Sequence, residues 1–258
     1  MKETTPSVYL ISRPQIDRSS VEAYLQAVHG TSWLELRDKD TQSTDAELLI
    51  EFGGRLCYRS WEPGLNPNVE RIRTERSKYF ENLLSSGHGS VLEHANFSFA
   101  FHQVSRVFTH ELVRHRAGCA YSQESLRYVR LVDIGFRVPP RLEPVRDEVL
   151  SIVERLEDFQ RKASEALLEE GVPFAVKKEV TSALRRLAPI GLSTDILWTA
   201  NLRTLRHVIA QRTLPTAEEE MRLVFDAVAQ VAVKEAPALF QDFSREEDGS
   251  WVPAYAKV

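Results

Sequence analysis

Cysteine is scarce in this chain, which has two in 258 residues, Cys57 and Cys119. Two cysteines cannot build the disulfide framework of a small secreted domain, so we expect a reduced, cytoplasmic protein. Long apolar runs are also missing: none approaches the roughly 18 residues that span a bilayer. The first residues lack the apolar stretch of a signal peptide. We therefore expect no membrane association and no leader.

An excess of positive charge is absent as well. The chain has 33 Lys and Arg against 37 Asp and Glu, a net charge of −4. Nucleic-acid-binding domains are usually basic, so this balance argues against nucleic acid as a partner. The arginines are concentrated locally instead, which fits a small anion better than a polyanion. The length suits one domain, residues 1–258.

Hydrophobic periodicity predicts an α+β fold, with helical layers packed on a mostly antiparallel sheet. The alternation of Phe97, Phe99 and Phe101 indicates a half-buried strand over residues 96–102. Further strands are predicted at 7–11 and 196–200, and residues 126–136 are predicted to be extended. Helices are predicted at 68–84, 104–113, 144–170, 173–187 and 201–212, and after capping boxes that begin at Thr44 and Thr216.

Several familiar catalytic motifs are missing. There is no P-loop and no Gly-x-Ser-x-Gly. Gly87-His88-Gly89 lacks the third glycine of a dinucleotide fingerprint and leads into a strand rather than a helix. His110 and His115 are one residue too far apart for the zinc spacing His-Glu-x-x-His, which turns the second side chain about 100° off the shared helix face. We therefore expect no metal and no Rossmann dinucleotide-binding unit.

The most informative segment is Arg114-His115-Arg116 followed by Ser125-Leu126-Arg127-Tyr128. An arginine fork keeps its charge and suits phosphates, and a cluster of such charges is costly to bury unpaired. The triplet falls at the end of the predicted helix 104–113, where cations oppose the helix dipole. Taken alone, it fits a solvated basic helix end as well as an anion site.

The same residues resemble the signature of flavin-dependent thymidylate synthases: Arg-His-Arg, a spacer, Ser, then Arg-Tyr. The spacer here, residues 117–124, is one residue longer than the family's usual spacer. Other segments carry the same resemblance in the same order, roughly over residues 80 to 230. They are Gly87-His88-Gly89-Ser90-Val91-Leu92-Glu93-His94, Arg185 ahead of Pro189, and Asn201-Leu202-Arg203 with His207 and Arg212.

The resemblance implies reductive methylation of dUMP at C5, with FAD as cofactor and with NADPH and methylenetetrahydrofolate as co-substrates. It also implies a homotetramer whose active sites are shared between subunits, with the FAD held across an interface. Arg212 is the implied catalytic residue, placed to stabilise charge on the uracil ring. The implied nucleotide contacts are Glu111, Arg114, Gln123, Ser125, Arg127, Arg185 and Arg212. The implied cofactor contacts are His88, Ser90, Glu93, Arg114, His115, Arg116, Gln123, Asn201, Arg203 and His207.

Two alternatives stay open at this point. The same scaffold would serve to methylate UMP, alone or together with dUMP, in the making of a modified nucleoside. The contact to the sugar 2′-hydroxyl that separates these substrates is not visible in the sequence. An alternative of another class is a non-catalytic protein that binds RNA or a nucleotide through its arginines. It predicts a colourless, salt-sensitive binder, whereas the enzyme should be yellow.

Overall fold

The computed structural model describes residues 1–128, 133–168 and 170–258, and it confirms the mixed α+β architecture. The strands are β1 (Lys2–Glu3), β2 (Ser7–Ser12), β3 (Asn96–Ser105), β4 (Cys119–Gln123), β5 (Gly135–Phe136), β6 (Ser193–Asn201), β7 (Phe243–Arg245) and β8 (Trp251–Pro253). The helices are α1 (Arg18–Ala27), α2 (Thr31–Asp38), α3 (Asp45–Tyr58), α4 (Arg76–Ser85), α5 (Arg106–Leu112), α6 (Arg146–Leu167), α7 (Phe174–Leu184), α8 (Leu202–Arg212) and α9 (Glu219–Glu235).

The central sheet is antiparallel, with the strand order β2-β3-β6-β4. Successive side chains of a strand point to opposite faces of the sheet, so apolar residues at every second position form one apolar face. Phe97, Phe99 and Phe101 lie on this face and are fully buried, as the alternation predicts. Trp198 of β6 joins them and meets Phe225 of α9 edge-on, with 5.5 Å between ring centroids. Helices α5, α8 and α9 therefore cover the face that forms the main core.

Side-chain caps decide where three helices begin. Thr44 forms the predicted capping box and begins α3. Asn201 begins α8 by accepting a hydrogen bond from Thr204 N at 2.9 Å. The second predicted box, at Thr216, is wrong: Glu218 caps α9 with its own carboxylate, which accepts from the first backbone N–H groups of the helix. A carboxylate at a helix N-terminus satisfies those donors and also opposes the helix dipole.

Other boundaries differ from the sequence prediction. The helix predicted at 68–84 begins only at Arg76, because Asn66 accepts from the N–H groups of Asn68 and Val69 and forms a local turn instead. Such side-chain bonds compete with helix formation. Of the predicted extended segment 126–136, residues 126–128 form a turn, 129–132 lie outside the described residues, and β5 is extended. Helix α6 ends at Leu167, short of the predicted 170.

Buried ion pairs fix two helices in place. Glu51 of α3 is 1 % exposed and accepts from Arg37 Nε and from Arg55 Nε, each at 2.7 Å. Arg206 of α8 donates to both carboxylate oxygens of Asp242, at 2.8 and 2.9 Å. A charge can be buried when an opposite charge and further hydrogen bonds compensate it. Within the described ranges, no helix combines the length and the apolar character needed to cross a membrane.

Candidate functional site

The Arg-His-Arg triplet follows helix α5 directly. The side chain of Ser105 caps the start of this helix, which ends at Leu112. His115 N still donates to Leu112 O at 3.1 Å, so the triplet forms the turn that closes the helix. Arg114 and Arg116 are exposed on this turn, whereas His115 is half-buried. Two guanidinium groups therefore face outward, and an imidazole lies between them and the protein.

Gly118 brings this turn against the start of α8. Its φ is +67°, a conformation that glycine adopts without the cost a side chain would bring. Gly118 O accepts from Asn201 N at 3.0 Å, and a Cβ on Gly118 would lie 2.2 Å from Asn201 Nδ2. Thr204 Oγ1 donates to Ala117 O at 2.7 Å, one turn further along the helix. The small residues of this loop thus allow its backbone to pack closely against the start of α8.

Arg212, at the C-terminal end of α8, meets the triplet and helix α5. Its Nε donates to His115 Nε2 at 2.7 Å, and its Nη1 donates to the carboxylate of Glu111 at 3.0 Å. Its Nη2 reaches Glu111 O at 3.4 Å. The guanidinium side chain is 18 % exposed, so it is largely withdrawn from water. A planar fork held on two sides has little freedom, and its remaining N–H groups have a defined direction.

The imidazole of His115 is neutral at physiological pH. Burial, and then the charges of Arg212 and His207, lower its pKa to about 4. The neutral ring can accept from Arg212 at Nε2, which leaves its proton on Nδ1. The ring of His207 lies nearby, with 6.3 Å between centroids. His115 therefore orients Arg212 without adding charge to the site.

A pocket of about 480 Å³ lies between the triplet and the start of α8. Arg203 forms part of its wall and donates to Glu93 Oε1 at 2.7 Å. Within the described part of the chain, the side chains of Arg114 and Arg116 have neither a hydrogen-bond partner nor an ion pair. The pocket is lined by Glu93, Arg114, His115, Arg116, Ala117, Gly118, Asn201, Arg203, Thr204, His207 and Val258.

The structure thus brings together seven of the ten residues expected to contact the cofactor. Two others are separate: His88 lines a neighbouring pocket of about 580 Å³, where its ring meets Tyr58 edge-on at 5.8 Å, and Ser90 is exposed on the 3-10 helix Gly89–His94. The sequence interpretation missed Thr204 and Val258 in the first pocket. Thr204 lies in the first turn of the helix predicted at 201–212, whereas Val258 carried no local signal.

The remaining nucleotide candidates do not converge on this pocket within one chain. Gln123, which is expected to contact both the nucleotide and the cofactor, lies on β4. It donates to Thr109 Oγ1 at 3.1 Å. Ser125 and Arg127 share the turn after β4, where Arg127 N donates to Ser125 Oγ at 3.3 Å. Arg185 is exposed at the end of α7. Among the described residues, none of these four lines the pocket beside Arg114.

The residues of the pocket fit a flavin dinucleotide by their chemistry. Guanidinium groups of Arg114, Arg116 and Arg203 suit a diphosphate, because arginine binds phosphate oxygens through paired donors. Asn201 and His207 add polar groups of the kind that read the edge of a planar heteroaromatic ring.

The sequence matches a family model described as "Thymidylate synthase complementing protein" over residues 41–238. It is also similar to curated proteins named flavin-dependent thymidylate synthase. The protein from Mycobacteroides abscessus is 37% identical over 230 residues, which are 85% of this chain and 89% of that protein. Those from Mycobacterium tuberculosis and Mycolicibacterium gilvum are 37% identical over 212 residues, 78% of this chain and 82% of theirs.

Proposed function

The chain belongs to the thymidylate synthase complementing protein family, whose curated members include flavin-dependent thymidylate synthases, and we propose that it methylates dUMP at C5 to form dTMP. The observation that carries this proposal is the fixed guanidinium of Arg212. It stands beside a pocket whose arginines suit the diphosphate of a flavin. The family and this pocket favour an enzyme over a non-catalytic nucleotide or RNA binder.

Arg212 supplies the electrostatic part of the reaction. C5 of a pyrimidine is a weak nucleophile, and negative charge on the N3 and O2 edge of the ring makes it stronger. A cation near that edge stabilises this charge, and it does so more in a partly dry site than in water. His115 and Glu111 hold the cation in advance, so little reorganisation is needed when the charge develops.

The residues of the pocket would hold FAD, with Arg114, Arg116 and Arg203 on its phosphates and with His115, Asn201 and His207 near its rings. When bound, the flavin would supply the hydride that reduces the transferred carbon to a methyl group. Methylenetetrahydrofolate would donate the carbon, and NADPH would be the source of the reducing equivalents. His88 and Tyr58, in the neighbouring pocket, offer flat faces for a second aromatic ligand such as the folate.

We propose further that the active enzyme is a homotetramer with active sites shared between subunits. Two observations support this. Gln123, Ser125, Arg127 and Arg185 do not line the pocket beside Arg114 within one chain, although the family resemblance assigns them to the same nucleotide as Arg114. Helices α6 and α7 and the segment after them also leave large apolar side chains exposed, which is typical of an interface. These include Ile152, Phe159, Leu167, Phe174, Leu187 and Ile190.

The cytoplasm is the location we propose for this reaction. Both cysteines are free thiols, Cys57 exposed and Cys119 partly buried. Free cysteines persist where the thiol pool is reduced.

The test is release of the C5 hydrogen as water from isotope-labelled dUMP, measured with FAD, NADPH and methylenetetrahydrofolate present. We expect release from dUMP, and loss of release when the folate is omitted. Labelled UMP serves as the matched substrate, because it differs only at the sugar 2′-hydroxyl. Comparable release from UMP would replace the proposed substrate. Release from neither, in yellow protein with bound flavin, would overturn the proposed reaction.

A further inference from the structure

The last residues of the chain cross the molecule from β8 to the 3-10 helix Gly89–His94. Ala254 N donates to Asp242 O at 2.9 Å, and Tyr255 N donates to Asp242 Oδ2 at 3.3 Å. The Tyr255 hydroxyl donates to Glu81 of α4. Residues 255–258, called the strap here, are therefore held by hydrogen bonds at their beginning.

The strap is anchored to the helix that carries much of the candidate site. Asp242 is 2 % exposed at its side chain and pairs with Arg206 of α8. Trp251, just before the strap, donates from its backbone N to Thr213 Oγ1 at 2.8 Å, one residue beyond Arg212. A buried pair and a buried hydrogen bond thus fix the start of the strap relative to α8.

The far end of the strap lies on glycine backbone at the rim of the pocket. A Cβ on Gly89 would lie 2.6 Å from the carbonyl carbon of Val258 and 3.0 Å from Arg203 Nε. Both groups therefore occupy the space that any other residue at 89 would fill. Lys257 O lies 3.6 Å from the corresponding position on Gly87. Val258 itself lines the pocket together with Glu93 and Arg203.

We propose that the strap forms the outer wall of this pocket and slows the escape of the bound flavin. The proposal rests on the proposed function in one respect, that the pocket takes the flavin. Val258 and Arg203 lie side by side over Gly89, and Glu93 pairs with the Arg203 guanidinium. Without the strap, the Gly89 backbone and Arg203 lose the cover of Val258, and the pocket loses part of its lining.

The experiment measures how fast FAD leaves the intact protein, from the rise in flavin fluorescence after dilution into apoprotein-free buffer. A chain ending at Ala254 lacks the strap, and Tyr255→Phe keeps it but removes the bond to Glu81. We expect release on the order of tenfold faster for the truncated chain, equivalent to losing one or two contacts, and a smaller increase for Tyr255→Phe. Glu247→Ala, an exposed change on the β7–β8 hairpin, is the matched control and should release flavin at the original rate.

Thermal unfolding of each variant establishes that the fold is kept. Unchanged release from a folded truncated chain would overturn the strap proposal while leaving the proposed reaction standing. Slower release would overturn it as well, because the strap would then obstruct the pocket. If the full chain binds no FAD at all, both proposals fail. Gly89→Ala offers a second test in the full-length chain, since its Cβ would displace Val258 at the end of the strap and should speed release in the same direction.

Discussion

Arg212 Nε donates a hydrogen bond to His115 Nε2 across 2.7 Å, although the two residues are 97 positions apart in the sequence. The bond requires an unprotonated Nε2, and burial, followed by the charges of Arg212 and His207, supplies this condition by lowering the pKa of His115. Glu111 holds the opposite edge of the guanidinium. The family signature and the late arginine thus form one hydrogen-bonded unit.

Replacing Arg212 by Ala should abolish turnover while leaving flavin in the protein. The reason is that Arg212 bonds to His115 and Glu111 rather than lining the pocket. Loss of one pre-positioned donor to a developing charge typically costs about 10² to 10³ in kcat. The measurement combines C5 hydrogen release with the flavin absorbance of the purified variant. Arg18→Ala, which breaks an exposed pair with Asp38, is the control. Undiminished turnover in Arg212→Ala would remove Arg212 from the mechanism.

His115 should make stability depend on pH in the acid range. Its pKa is about 4 in the folded protein, against 6.5 for the ordinary imidazole. Between these values the unfolded chain binds more protons, so the free energy of unfolding falls as the pH is lowered through this window. His115→Gln keeps an acceptor for Arg212 but cannot titrate. Urea unfolding at several pH values between 4 and 7 should therefore give a shallower pH dependence for the variant. Parallel curves for both proteins would contradict the prediction.

Gly118→Ala should damage both stability and flavin binding. The substitution strains a backbone with φ of +67° and drives a Cβ into Asn201, 2.2 Å from Nδ2. Gly171→Ala is a matched control, because its φ is +87° and no described atom lies within 4 Å of the added Cβ. In the control, the free energy of unfolding should fall only by the cost of the left-handed conformation, about 1–2 kcal/mol. Gly118→Ala should lose more, together with flavin affinity. Equal losses in urea unfolding would mean that the contact with Asn201 is unimportant.

Glu51→Gln should be among the most destabilising single changes in this chain. It would remove the buried carboxylate charge that both Arg37 and Arg55 contact at 2.7 Å, and breaking such a buried pair typically costs about 3–5 kcal/mol. Asp38→Asn breaks an exposed pair and should cost about 0–1 kcal/mol. Urea unfolding of both variants measures the difference. Similar midpoints would show that the buried network contributes little.

Local patterns predicted the elements whose causes are local. The capping box at Thr44 and the alternation of Phe97, Phe99 and Phe101 each depend on a few neighbouring residues. The box at Thr216 failed for a related reason. Glu218, two residues later, offers a carboxylate to the same backbone donors, and the sequence does not tell which cap wins.

The helix predicted from Asn68 begins late for two reasons: its first residues form the local turn at Asn66, and a distant arginine holds the loop that follows. Arg55 Nη1 donates to Ser60 O at 2.7 Å and Nη2 donates to Arg73 O at 2.6 Å, so one buried arginine ties both ends of the loop. The segment has apolar residues at helical spacing, but its Arg73 carbonyl accepts a hydrogen bond from Arg55 rather than from a helix N–H. Periodicity within the segment carries no information about a partner 18 residues away.

The residue types of this site could be predicted from the sequence: arginines for an anion, an imidazole, an asparagine at the start of a helix and a late arginine. Which of these residues meet depends on the tertiary structure. Strand β6 pairs with β4 in a register that sets Cys119 opposite Ala200, and this places Gly118 beside Asn201. The same strand pairing places α8 beside the Arg-His-Arg triplet, so that Arg212 contacts His115. Register and helix packing depend on the burial of faces formed by distant residues, and motif spacing along the chain does not contain that information.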